Sequence, residues 1–330
     1  MKCPTLRVGH HKTICDCVVG AALCDRPLYA REKPVWRGRG GRATSPVVRP
    51  SSLQPSPPAF LIAPLAALAD TSLVELIRDI GRRILRLTVY VGGLTVMIGR
   101  LLASLPQILG SARLVVYQML TMGVRSLPLI ILTSVFTGAV SAWQAAYQFQ
   151  NFVPMRFLGT AVGKAIVIEL APVLTALVVA GRVGASIAAE LGTMRVTEQI
   201  DALEVMGVDP VRYLVMPRVT SGAIMLPVLV LFSDFVAILG ALVVAVLMVN
   251  LSATTFLNGV KLFFHMSDMY AGLFKASIFG IIISLIGCYQ GFQTRGGAEG
   301  VGRSTTGAVV IASVLILISD YLIATMLFRV

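Results

Sequence analysis

Polar positions in this chain fall in clusters, and between them run apolar stretches long enough to cross a bilayer. Residues 126–155 carry no charge at all, which predicts a first membrane-spanning helix over 127–147, since about 20 apolar residues cross the hydrocarbon core. A second apolar run, 165–181, contains the single charge Glu169. Three more are expected at 219–249 with Asp234 inside, at 276–293, and at 304–327 with Asp320 inside.

Before the first span the pattern changes. Glu75, Arg78, Asp79, Arg82, Arg83 and Arg86 recur at steps of one, three and four, while Leu73, Leu76, Ile77, Ile80, Ile84 and Leu87 fill the other face. Ser72 and Glu75 have capping-box spacing, which predicts a helix start. Such a basic amphipathic helix suits the headgroup layer of an anionic membrane, and packing against the bundle is the competing reading. Residues 88–123 are apolar but interrupted by Gly92, Gly93, Arg100, Pro106 and Arg113, so they are expected to be interfacial or re-entrant. The fold class is therefore an all-α integral membrane protein. It has an N-terminal interfacial amphipathic helix, then about five transmembrane helices, with one short helix between the second and third.

That short helix carries its own signals. Thr197 is placed to cap it, Glu198 sits in its first turn, and Gly207 followed by Pro210 ends it. At 100° per residue Ile200, Leu203 and Met206 share one side, while Glu198, Asp201 and Glu204 lie nearly opposite. A surface connector explains the two faces but not the clustering of acids. A docking helix for a soluble partner with basic groups around a groove explains both. Just upstream, Ala180, Gly184, Ala188 and Gly192 form one small-residue ridge, and Gly181, Ala185 and Ala189 form its neighbour. Such ridges let helix backbones approach closely in lipid, either within one bundle or across a dimer seam.

Composition adds the class and removes others: 56% hydrophobic residues and 13% charged, with a mean hydropathy of +0.83, describe a membrane protein. The net charge of +12 does not point to nucleic acid, because residues 1–69 hold 10 Lys/Arg against Asp16, Asp25 and Glu32 and so supply +7 of it. This Arg-, Ser- and Pro-rich leader reads as an organelle transit peptide and disordered linker. Three regions follow: 1–69 as leader, 70–123 as interfacial or re-entrant helices, and 124–330 as the membrane domain. Lys/Arg beside the spans number 12 on the side holding the short helix and 4 on the other, which places that helix in cytosol or stroma.

No catalytic constellation is present, so an enzyme is not expected. His265 is the sole histidine after the leader. Cys3, Cys15, Cys17 and Cys24 near His10 and His11 match no standard zinc spacing, so no metal is expected. The run 159–165, GTAVGKA, has three residues between its glycines where a phosphate loop needs four, and Ala165 replaces the Ser/Thr for magnesium. No cofactor is expected on this chain; any ATP would be bound by a second polypeptide. The remaining polar signals are carboxylates within spans, which face a cavity or a partner because a lone charge in lipid is costly. Glu169, with Pro172 bending the helix beside it, is read as lining a substrate cavity, with a structural ion pair as the alternative. Asp234 and Asp320 are read as pairing within the bundle, with Lys275 and Arg182 as the available cations. The glycines at 296, 297, 300 and 302 are read as a tight turn.

The run 169–210, ELAPVLTALVVAGRVGASIAAELGTMRVTEQIDALEVMGVDP, resembles the signature of MlaE-type permeases, a family that includes the trigalactosyldiacylglycerol permeases of the chloroplast inner envelope. The resemblance extends from about residue 72 to the C-terminus. It implies the permease subunit of an ABC transporter that moves glycerophospholipids or related lipids, such as phosphatidic acid, between membranes. It also implies that 196–207 is the coupling helix, with Glu198, Gln199, Ile200, Asp201, Leu203, Glu204 and Met206 seated on a separate ATPase subunit. A homodimer, a lipid-binding MCE-type subunit on the opposite face, and the chloroplast inner envelope or another organelle or bacterial-type inner membrane complete the implication. Many bacterial relatives carry Arg immediately before the glutamate matching Glu169; this chain has Ile168, so a headgroup role built on that pair is not carried over. The functional alternative is an ion- or proton-coupled secondary carrier using Glu169, Asp234 and Asp320 as a relay.

Overall fold

The computed structural model describes residues 65–104, 112–149, 153–262 and 264–327. The transit-peptide reading of 1–69 lies outside the described residues except for 65–69, which are helical; the Cys/His cluster lies outside them, as does Pro106. Nine helical segments are found there and no strand: α1 Leu65–Ser104, α2 Ala112–Gly123, α3 Leu127–Phe149, α4 Met155–Val196, α5 Gln199–Val205, α6 Val211–Leu247, α7 Ala253–Leu262, α8 Met266–Phe292 and α9 Gly297–Leu327. Of these α3, α4, α6, α8 and α9 are long and apolar enough to cross a membrane, which is the expected five.

Several boundaries differ from the sequence expectation. Helix α1 is a continuous 40-residue helix, so Ser72 lies inside it and not at its start. The run Leu-Ala-Ala-Leu-Ala before it consists of strong helix formers, which carry the helix upstream of the apparent cap. Nor do Gly92 and Gly93 break it. Gly93 is where the Tyr289 ring seats, so its missing side chain serves packing. The apolar side chains Ile80 and Ile84 are exposed, which favours the membrane-surface reading of this part over packing in the bundle. Further along, Met97 and Leu101 are buried, and Tyr289 Oη donates to the Tyr90 carbonyl while Gln290 Nε2 donates to Tyr90 Oη, each at 3.0 Å.

Helix α8 begins ten residues before the expected 276 because Lys275 is neutralised inside the bundle and so does not end the apolar span. Two spans contain widened π-turns near prolines: Ile166–Leu170 just before Pro172, and Val211–Val215 just before Pro217. A proline clashes with the carbonyl four residues earlier and leaves it without a donor, and a π-turn accommodates both effects.

Lipid gives helices no water to exclude, so close backbone packing holds this bundle together. A Cβ on Gly240 would stand 2.5 Å from the Val135 carbonyl oxygen, and one on Gly138 would overlap the Ala237 carbonyl, so α3 and α6 touch backbone to backbone. Ser134 and Ser233 hydroxyls bond at 2.8 Å in the same seam. Gly222 of α6 and Gly280 of α8 face each other in the same way. Gly222→Val is therefore expected to lower the thermal midpoint in detergent by the equivalent of about 2 kcal/mol, because the Ser284 hydroxyl can turn aside but the Gly280 carbonyl behind it is backbone and cannot. An unchanged midpoint would show that α6 and α8 separate without cost.

Candidate functional site

Helix α5 is seven residues long and projects from the end of α4. Thr197 does not cap it: its hydroxyl donates back to Thr193 O at 2.9 Å and so closes α4. The reversal is made by Glu198 in the left-handed conformation, φ 59°, an uncommon state for a residue with a side chain. At the far end Gly207, φ 76°, terminates the helix as expected, with Gly207 N–H donating to Glu204 O and Val208 N–H to Leu203 O, both at 3.0 Å. Asp209 Oδ1 then accepts from Val211 N–H at 3.0 Å and starts α6.

Ile200 is buried and Leu203 half-buried, so they form the seated face. Met206 is not with them. It lies past the last helical residue and is 68% exposed beside Val205, which is 89% exposed. Gln199, Glu198 and Glu204 are exposed, whereas the Asp201 carboxylate is ion-paired with Arg195 of the same chain. The open surface is thus apolar as well as acidic. Val205, the last helical residue, lies seven positions after Glu198 and therefore on the same outer face, whereas Met206 falls in the turn that follows.

Upstream, Ala180, Gly184, Ala188 and Gly192 are all buried within this one chain. A Cβ on Gly291 of α8 would stand 2.6 Å from Leu191 Cβ, and one on Gly192 would stand 2.8 Å from Thr294 Oγ1. The ridge therefore packs α4 on α8 and the turn after it. Gly181 does not belong to that contact: it is exposed, with open space where a Cβ would be.

Deeper in the bundle three helices meet at a charge cluster. Lys275 Nζ, fully buried, donates to Glu169 Oε1 at 2.7 Å and lies 2.9 Å from Asp320 Oδ1. The Asp320 arm is electrostatic, since that oxygen lies outside hydrogen-bonding direction. Glu169 is thus held by an ion pair, with its side chain still 42% exposed. Pro172, read from sequence as cavity-lining, is buried, and its ring stands 3.5 Å from a Cβ on Gly272. Asp234 does not pair as expected; it is buried and its Oδ1 has no hydrogen-bond partner among the described residues. A second pair was not legible: Arg218, buried in α6, reaches Glu190 of α4 at 2.8 Å and donates to Leu214 O at 2.8 Å. The run 159–165 is helical and packs on α7, with Thr160 Oγ1 donating to Gly259 O at 2.6 Å, so it forms no phosphate loop. Gly296 and Gly297, φ 91° and 71°, make a tight turn, but Gly300 and Gly302, expected in it, lie inside α9.

Five apolar spans packed through glycine seams, with an exposed short helix joining two of them, define a multi-pass membrane protein. The chain belongs to the MlaE permease family, described as Permease MlaE, which matches residues 115–326. A probable ABC transporter permease protein of Rickettsia typhi is 46% identical over 217 residues, covering 66% of this chain and 84% of the relative. One from Synechocystis is 44% identical over 212 residues, 64% and 81% of the two chains. The Arabidopsis thaliana protein TRIGALACTOSYLDIACYLGLYCEROL 1, chloroplastic, is 38% identical over 207 residues, 63% of this chain and 59% of that protein. The chain is a membrane permease of an ABC transporter.

Proposed function

We propose that the chain forms, as a homodimer, the membrane path for glycerophospholipids or related lipids moving between two membranes, driven by an ATPase subunit that docks on α5 and alone binds ATP. The observation that carries this is the α5 surface: Val205 and Met206 are exposed beside Glu198 and Glu204, on a helix anchored from behind by Ile200. Exposed apolar side chains rimmed by charge are what a protein partner covers. An MCE-type lipid-binding subunit on the opposite face completes the assembly, and phosphatidic acid is a cargo of the proposed kind. The membrane is that of an organelle, the chloroplast inner envelope in this reading, supported by the Arabidopsis relative and by the composition of residues 1–69. The secondary-carrier reading loses support, because a proton relay needs carboxylates that communicate. Glu169 and Asp320 are held by Lys275, while Asp234 makes no hydrogen bond through Oδ1 among the described residues. Purification of the full chain from chloroplast envelope in mild detergent, with mass spectrometry of bound proteins and lipids, is expected to recover an ABC ATPase, an MCE-type protein and glycerolipid. Recovery of the chain free of any ATPase would overturn the reading.

A further inference from the structure

Helix α5 has two roots, the end of α4 at 193–196 and the start of α6 at 211–215. Both spans pack on α8, α4 through Leu191 against Gly291 and α6 through Gly222 against Gly280. Between α4 and α6 themselves one ion pair is found among the described residues, Arg218 Nη2 with Glu190 Oε1 at 2.8 Å.

That arginine reaches further than its acid. Its side chain is 4% exposed, against 55% for Glu190, and its Nη1 donates to the Leu214 carbonyl at 2.8 Å, inside the π-turn Val211–Val215. One turn further on, Ser221 Oγ donates to Val115 O of α2 at 2.8 Å and fastens α6 to the bundle. The guanidinium therefore ties α4 to the widened turn that lies between α5 and the fastened part of α6. Its Nε has no hydrogen-bond partner among the described residues, so the group sits in an incompletely satisfied place.

Stability alone is a weak reason for such a group, because apolar residues packed in place of a buried ion pair are often neutral or stabilising. Widened turns inside helices recur at functional sites, and the ordinary α-turn is a second arrangement close by. Coupling between distant parts of a protein is carried by elements with two discrete arrangements. Motion imposed on α5 reaches both spans together only if the π-turn is locked; a free turn would absorb it.

We propose that Arg218 and Glu190 are positioning residues for transport: their ion pair locks the π-turn of α6 to α4, so that a docked ATPase displacing α5 moves both spans as one. This rests on the reading of α5 as the docking helix. It adds the device by which motion at that helix enters the bundle.

The full chain would be purified with its ATPase subunit in nanodiscs, and amide hydrogen exchange followed at 193–196 and 211–215 with and without a nonhydrolysable ATP analogue. Wild type is expected to respond at both roots together. Arg218→Leu with Glu190→Leu strands no charge, so ATPase recovery and thermal midpoint should stay at the wild-type level. The response at 211–215 relative to that at 193–196 is expected to rise roughly tenfold in this variant, the equivalent of one charged hydrogen bond. Glu190→Gln keeps an oxygen for Arg218 Nη2 but not the charge, about half the strength, and is expected to raise the ratio about threefold. That variant decides the matter if the double variant is less stable. A pair that serves only to fill and neutralise its site predicts the wild-type ratio wherever the midpoint is kept, and that result overturns the proposal. Absence of the ATPase from the wild-type preparation would instead sink the docking reading. The lock is then read from nucleotide-free exchange, where 211–215 must exchange roughly tenfold faster in the double variant than in wild type, and equal exchange overturns it.

Discussion

Reversing two acids of α5, Glu198→Lys with Glu204→Lys, is expected to reduce recovery of the ATPase subunit with the permease by a hundredfold or more in affinity, and lipid transport with it. Both side chains are exposed, so the substitutions leave the bundle intact. Placing a like charge against basic groups of a partner costs several kcal/mol, and each 1.4 kcal/mol is about tenfold. Asp201 is left out of the set because Arg195 already neutralises it, and Asp201→Asn is expected to do less. Removing charge alone, with Glu198→Gln and Glu204→Gln, should weaken the complex modestly and flatten its salt dependence. Val205→Asp tests the apolar half of the same surface and should also lower recovery. Undiminished recovery of the charge-reversed protein, measured by co-purification at matched expression, would remove α5 as the docking element.

Lys275→Met is expected to lower the thermal midpoint in detergent more than any of the α5 changes. The ammonium is fully buried, and its loss leaves the carboxylates of Glu169 and Asp320 facing one another without a cation. Breaking a buried ion pair from one side costs roughly 3 to 5 kcal/mol, and the partial exposure of Glu169 places this case near the lower figure, about 3 kcal/mol. Adding Glu169→Gln and Asp320→Asn to Lys275→Met removes the stranded charges and should restore most of the midpoint. A triple variant no more stable than Lys275→Met would show that the ion pairs are not what joins α4, α8 and α9. Transport by Glu169→Gln alone separates the functional readings: a relay predicts its complete loss in a folded protein, whereas a structural pair predicts a loss that follows stability.

What the sequence determined by itself follows from local periodicity and solvent. Five spans, a separate short helix and its stop at Gly207 were legible because apolar length sets membrane crossing and because a left-handed glycine ends a helix within one turn. The seated face of α5, Ile200 and Leu203, was legible for the same reason. Its outer face was only half legible, since Met206 occupies a turn where helical angles no longer apply. What the tertiary structure alone decided are the pairings. Glu169 and Lys275 stand 106 positions apart, and no spacing rule chooses Lys275 over Arg182 as the partner of a given acid. The same holds for Arg218 with Glu190 and for the ridge of Ala180, Gly184 and Ala188, which could have faced another copy but is covered by α8. A helix pattern says which side of a segment is apolar or small; only the packing of whole helices says what lies against it, because in lipid every apolar face is equally at ease until a closely fitting backbone fills it.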